Sequence, residues 1–157
     1  MDFYKNFFFF LFLLLPHKCL SGDFTNSGYD NIFETRDYIT ILRISNVYSN
    51  YKLILEKAIE SNKIESIKYK DIINMEDFAL KTIEKLNYIY SSYKNAEIRS
   101  QIYQIKFEIE DAIKIIKEIK KINKKKNEFK KNIFKLESLF YRIEVYLKGL
   151  SQNLSVL

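Results

Sequence analysis

Three glycines, one proline, one cysteine and one histidine are all that this 157-residue chain holds of the residues that most often punctuate, staple or catalyse. A single cysteine closes no internal disulfide, and a zinc site needs several Cys or His ligands, so neither framework is available. A nucleophilic triad built on histidine would depend on His17 alone. Between Gly28 and Gly149 there is no glycine and no proline. Turns in β-proteins lean on those residues, so their absence points to long helices. Against these shortages stand 47% hydrophobic and 29% charged residues, the composition of a globular protein and not of a disordered tail. The length allows one ordinary domain.

The run Phe7 to Leu15 is nine consecutive apolar residues, four of them phenylalanines in a row. A helix spanning a bilayer needs about 20 such residues, whereas the core of a secretory signal needs about 7–15. Lys5 supplies a positive residue before the run, and Pro16, His17 and Lys18 stop it. With no polar face, this stretch does not suit the edge of a bundle core. Residues 1–21 therefore read as a signal peptide, followed by a flexible tether over 22–30 (Gly-Asp-Phe-Thr-Asn-Ser-Gly-Tyr-Asp). A helical bundle is expected over 31–150 and a short tail over 151–157.

Leu15-Pro16-His17-Lys18-Cys19 brings a hydrophobic core to the chain's single cysteine just before a polar tether. The arrangement resembles a bacterial lipoprotein signal, and the resemblance implies lipidation at Cys19 as the first mature residue. His17 and Lys18 stand where such signals favour small residues. Cys19-Leu20-Ser21 also offers small residues for ordinary cleavage after Ser21, so lipidation, simple secretion and an uncleaved anchor stay open. Behind this leader, the composition rich in Ile, Lys, Asn, Phe and Tyr resembles the small plasmid-encoded surface lipoproteins of Borrelia-type spirochaetes. That resemblance is one of style and carries over no functional residue. It implies export to a bacterial outer membrane or cell surface through an N-terminal lipid, with a secreted or periplasmic protein as the alternative.

Four stretches repeat apolar residues at steps of three and four, the spacing that lines one face of a helix. The first is Ile41, Ile44, Tyr48, Tyr51, Leu55 and Ala58; the second is Ile72, Met75, Ala79, Ile83, Leu86, Tyr90 and Tyr93. The third, Ile98, Ile102, Ile105, Ile109, Ala112, Ile116 and Ile119, has coiled-coil regularity. So does the fourth, Phe129, Ile133, Leu136, Phe140, Ile143, Leu147 and Leu150. Asn31 with Glu34 fits a capping box, and Asn74, Asn95 and Asn127 each precede acidic residues as N-caps do. Gly149 reads as the cap that closes the last helix. Residues 61–70, with only Ile64 and Ile67, read as a connection or a short helical turn. The expected fold is an all-α, antiparallel bundle of about four helices.

Chemistry is sparse within this bundle. Glu108 with Asp111 and Glu56 with Glu60 share helix faces, yet such pairs are usually solvated and matched by lysines, as Glu110 with Lys114 would be. No phosphate loop, nucleophile elbow or EF-hand loop is present. No cofactor, metal site or catalytic group is assigned, and the protein is expected to act by binding rather than by catalysis. From 114 to 131 there are nine lysines against Glu118 and Glu128, or +7 in eighteen residues. The whole chain is only +6 and its first twenty-two residues +1, so the rest is slightly acidic at −2. Lys120, Lys121, Lys124, Lys125, Lys126, Lys130 and Lys131 are the candidates for binding a polyanion at a hairpin tip; the plain alternative is a tip kept soluble by lysine. Tyr88, Tyr90, Tyr93 and Tyr103 form a second candidate surface, although Tyr90 and Tyr93 also suit the rim of the core and Tyr88 suits exposure best. Export directs the lysines toward a host protein, a glycosaminoglycan or an anionic lipid and away from nucleic acid. The competing expectation is a structural protein whose regular heptad faces recruit partner helices into an oligomer. A weaker third one lays the lysines and apolar stripes on a bilayer.

Overall fold

The computed structural model describes residues 36–157; the leader, Cys19, the tether and the Asn31/Glu34 pair lie outside the described residues. Four helices fill that span: α1 (Asp37–Glu60), α2 (Tyr69–Ser92), α3 (Ala96–Ile119) and α4 (Asn127–Ser155). A short 3-10 turn, Ile64–Ser66, lies between α1 and α2, and there is no strand among the described residues. Neighbouring helices run antiparallel, as cross-contacts fix. The Ser151 hydroxyl at the end of α4 donates to the Tyr38 carbonyl at the start of α1 (2.8 Å). Lys120 Nζ, just past α3, meets Glu76 Oε2 near the start of α2 (2.6 Å). The fold is an all-α, up-down-up-down bundle.

Every residue of the first, third and fourth stripes is buried. At the centre, the rings of Tyr48 and Tyr51 on α1 pack against Phe78 of α2 and Phe140 of α4, with centroids 5.4–6.0 Å apart. Edge-on ring contacts at this spacing are favourable beyond simple burial. The second stripe departs from its expected course toward the end of α2. Ile83 is only half-buried and Tyr90 is exposed, while Phe78, Thr82 and Ile89 fill the interior instead. Residues 86 and 89 continue the three-residue step, and Tyr90 falls one position too far round the helix.

The helix boundaries test the cap assignments one at a time. Asn95 caps α3 as expected, its Oδ1 accepting from the amides of Glu97 (2.9 Å) and Ile98 (3.1 Å). Asn74 does not start α2. That helix begins at Tyr69, because Ile72 and Met75 are already core residues and Asp71 stands in the first turn, where the helix dipole favours an acid. Asn127 is the first helical residue of α4, not its cap. Asn123 instead accepts from the Lys125 amide within the preceding turn (3.1 Å). Gly149 does not close α4 either. The helix passes through it to Ser155 and buries Leu150, Ser151 and Leu154, so most of the expected tail belongs to the bundle.

The α1–α2 connection is ordered by its backbone. Ile64 and Ile67 are both buried, and α1 ends in a Schellman motif. Lys63 N donates to the Ala58 carbonyl (2.8 Å) and Asn62 N to that of Ile59 (3.0 Å). Asn62, at φ 52°, takes the left-handed position that glycine more often fills.

Candidate binding surface

The four helices create two chemically different ends. At one, the chain enters at Arg36, the α2–α3 turn passes by and α4 finishes. At the other, the α1–α2 and α3–α4 turns meet. A 24-residue helix is about 36 Å long, and that length separates the ends. All seven candidate lysines lie at or beside the α3–α4 turn, at the end away from Arg36.

These lysines fall into two groups. Lys120 is committed to Glu76, which is almost fully buried, and that hydrogen bond raises the ammonium pKa. Lys124 donates its ammonium to the backbone carbonyl of Ile67 and so ties one turn to the other. Lys130 is half-buried. Lys121, Lys125, Lys126 and Lys131 are exposed, with no ion pair among the described residues. The same end also carries Lys63, Lys68 and Lys70, all exposed. Sequence reasoning passed over these three because they lie some fifty residues away and are interleaved with Glu65 and Asp71. Only the pairing of the two turns brings them alongside the others.

The carboxylates go to structural work. Glu108 takes two bonds from Arg142 of α4, from Nε (3.1 Å) and the terminal nitrogen (2.8 Å). Lys114 pairs with Asp111 (2.8 Å), one turn back, and not with Glu110 as the spacing suggested. Glu56 faces Lys52 at 3.6 Å. No group of three or more metal-ligating side chains occurs among the described residues, and no described helix is long and apolar enough to cross a membrane. A shallow groove of about 580 Å³ runs between α3 and α4, floored by Ile115, Phe134 and Leu139. Its rim mixes both signs, and Arg142, Lys114 and Asp111 there are already paired as above.

The tyrosines gather less closely than their spacing suggested. Tyr103 is 71% exposed and Tyr88 60%, so Tyr103 is the most exposed of the four. Tyr90 is exposed too, with the Arg99 guanidinium 4.9 Å from its ring centre. Arg99 Nε donates to the Tyr93 carbonyl (2.8 Å), which closes the α2–α3 turn. Lys85 lies over the Tyr88 ring at 4.7 Å while pairing with Asp37 (2.9 Å). The rings of Tyr88 and Tyr90 thus brace the Arg36 end of the bundle through cation–π contacts. The heptad faces of α3 and α4 are buried inside the same chain, so a partner helix could reach them only by opening the bundle.

No family model, no curated protein and no solved structure matches the chain.

Proposed function

We propose that this is an exported, lipid-anchored helical bundle that binds a polyanion through its lysine-rich end and has no catalytic role. The observation that carries the reading is the concentration of unpaired lysines on two adjoining turns, at the end opposite the point where the chain enters the fold. That end lies about 36 Å, one helix length, from Arg36. Exposed lysines offer point charges without the planar fork of arginine, so recognition follows charge density and weakens with salt. Retention on heparin tests it. The variant Lys121→Glu, Lys125→Glu, Lys126→Glu should lose retention while keeping the helical circular dichroism spectrum; unchanged retention refutes the reading. Lys124 is left intact because it joins the turns. Mass spectrometry of the mature N-terminus tests the anchor, and a first residue at Gly22 or Asp23 without lipid rules it out.

A second reading is self-association. It draws on large apolar side chains on the outer faces of α3 and α4: Tyr103, Phe107, Phe134, Tyr141 and Val145. Sedimentation equilibrium separates the two, since a monomer at high concentration excludes assembly.

A further inference from the structure

We infer that the polyanion site is composite, with Lys63, Lys68 and Lys70 of the α1–α2 connection forming one half and Lys121, Lys125, Lys126 and Lys131 the other, and that it fits a sulfated polysaccharide lying across both turns. This rests on the reading of the lysine end as a polyanion surface and adds its second half and its ligand class. The geometry turns on two contacts. Lys124 reaches across to the Ile67 carbonyl, directly before Lys68, and Lys120 reaches Glu76 of α2. Those lysines spend their ammonium groups within the protein, and the bonds hold the two turns side by side. Lys124 is therefore a positioning residue, and the ligand contacts fall to the exposed lysines around it.

Charge favours one continuous surface. Residues 61–70 and 120–131 together hold ten lysines against Glu65 and Glu128, and Glu76 answers Lys120. Packed helices lie about 8–10 Å apart, so one extended chain can touch both turns. A compact phosphate would meet only one of them. The two turns stand at the end of the bundle away from Arg36, open to a soluble or matrix polymer. A linear polymer with sulfates along its length supplies repeated charges at the reach that flexible lysines allow.

The test is the salt dependence of heparin binding by the full chain in non-ionic detergent. Each lysine contact displaces about one condensed counterion from a dense polyanion, as it does from nucleic acid. The variant Lys63→Gln, Lys68→Gln, Lys70→Gln should lower the slope of log affinity against log salt by about 2 to 3. Lys121→Gln, Lys125→Gln, Lys126→Gln should do the same, and Lys68→Gln alone should lower it by about 1. Lys94→Gln with Lys106→Gln, away from both turns, should leave it unchanged. Circular dichroism checks that each variant folds, and the single Lys68 change serves if a triple variant does not. If the wild-type chain is retained neither on heparin nor by phosphatidylglycerol vesicles, the polyanion reading itself falls. If retention depends on Lys121, Lys125 and Lys126 but not on Lys63, Lys68 and Lys70, only the composite site is overturned. Binding to phosphatidylglycerol vesicles without binding to heparin overturns the ligand class.

Discussion

The phenol of Tyr48 is the costliest polar group in the core, and removing it should stabilise the protein. Tyr48 is fully buried between Phe78 and Phe140, and its hydroxyl finds no hydrogen-bond partner among the described residues. Burial drives its ionisation well above the ordinary tyrosine range, against a smaller opposing contribution from neighbouring Thr82. Thr82 lies close, and because its own proton goes to the Phe78 carbonyl (2.8 Å) it does not donate to the phenol. A buried hydroxyl without a partner carries a desolvation cost of about 1–3 kcal/mol. Tyr48→Phe removes that cost and gives up only the contacts of one oxygen, so a net gain of about 1 kcal/mol is expected. With unfolding entropy of about 2.1 cal/mol/K per residue and roughly 120 residues, that gain raises the melting temperature by about 4 °C. Thermal and urea denaturation followed at 222 nm would measure it. A loss of about 0.5 kcal/mol or more would refute the reasoning, because it would mean that the hydroxyl is satisfied, with Thr82 as its acceptor. The double change with Thr82→Val locates the error: independent groups give additive effects, and a hydrogen-bonded pair does not.

Three further outcomes follow from particular positions. Gly149 sits inside α4 with negative φ, and a methyl group added there meets nothing within 4 Å, so Gly149→Ala should add about 0.5–1 kcal/mol in the same denaturation assay. Asn95→Ala removes the side-chain acceptor from two amides of α3 and should cost about 1 kcal/mol, with faster hydrogen exchange confined to the first turn of that helix. Burial first, and Glu56 second, raise the Glu137 carboxyl above its usual pKa, only partly countered by Lys52. A carboxyl whose folded pKa is raised penalises the fold while ionised, and the penalty disappears as pH falls below both its folded and unfolded values. Glu137→Gln should therefore raise the melting temperature at pH 7 and leave it nearly unchanged near pH 3; an equal effect at both would point to packing instead of charge.

Where the apolar steps were regular, the sequence was enough to locate the core. The stripe positions from Ile98 to Ile119 and from Phe129 to Leu150 are all buried, because steps of three and four on a straight helix leave no choice of face. Asn95 could be recognised as a cap because nothing around it competes for the helix start. Asn74 and Gly149 misled for one shared reason: a local preference worth about 1 kcal/mol yields to the burial of flanking core residues, here Ile72 at one site and Leu150 with Leu154 at the other. The α3–α4 lysines could be read because they are contiguous. Lys63, Lys68 and Lys70 could not, since their membership depends on which turn adjoins which, and a bond from a side chain to the Ile67 carbonyl leaves no trace in residue type.

The up-down-up-down course also decides how the molecule would carry force. A chain held at Arg36 and pulled at its lysine turns is loaded along the helix axes, from one end of α1 to the other. Tension in that direction must slide α1 lengthwise against α4, its most extensive neighbour, and so must disrupt many core contacts at once. Pulling the first and last helices apart from their shared end would instead peel the contacts away one turn at a time. A grip at the far end of the bundle, as proposed, would thus load a slender four-helix domain in shear, the direction in which many contacts must break together.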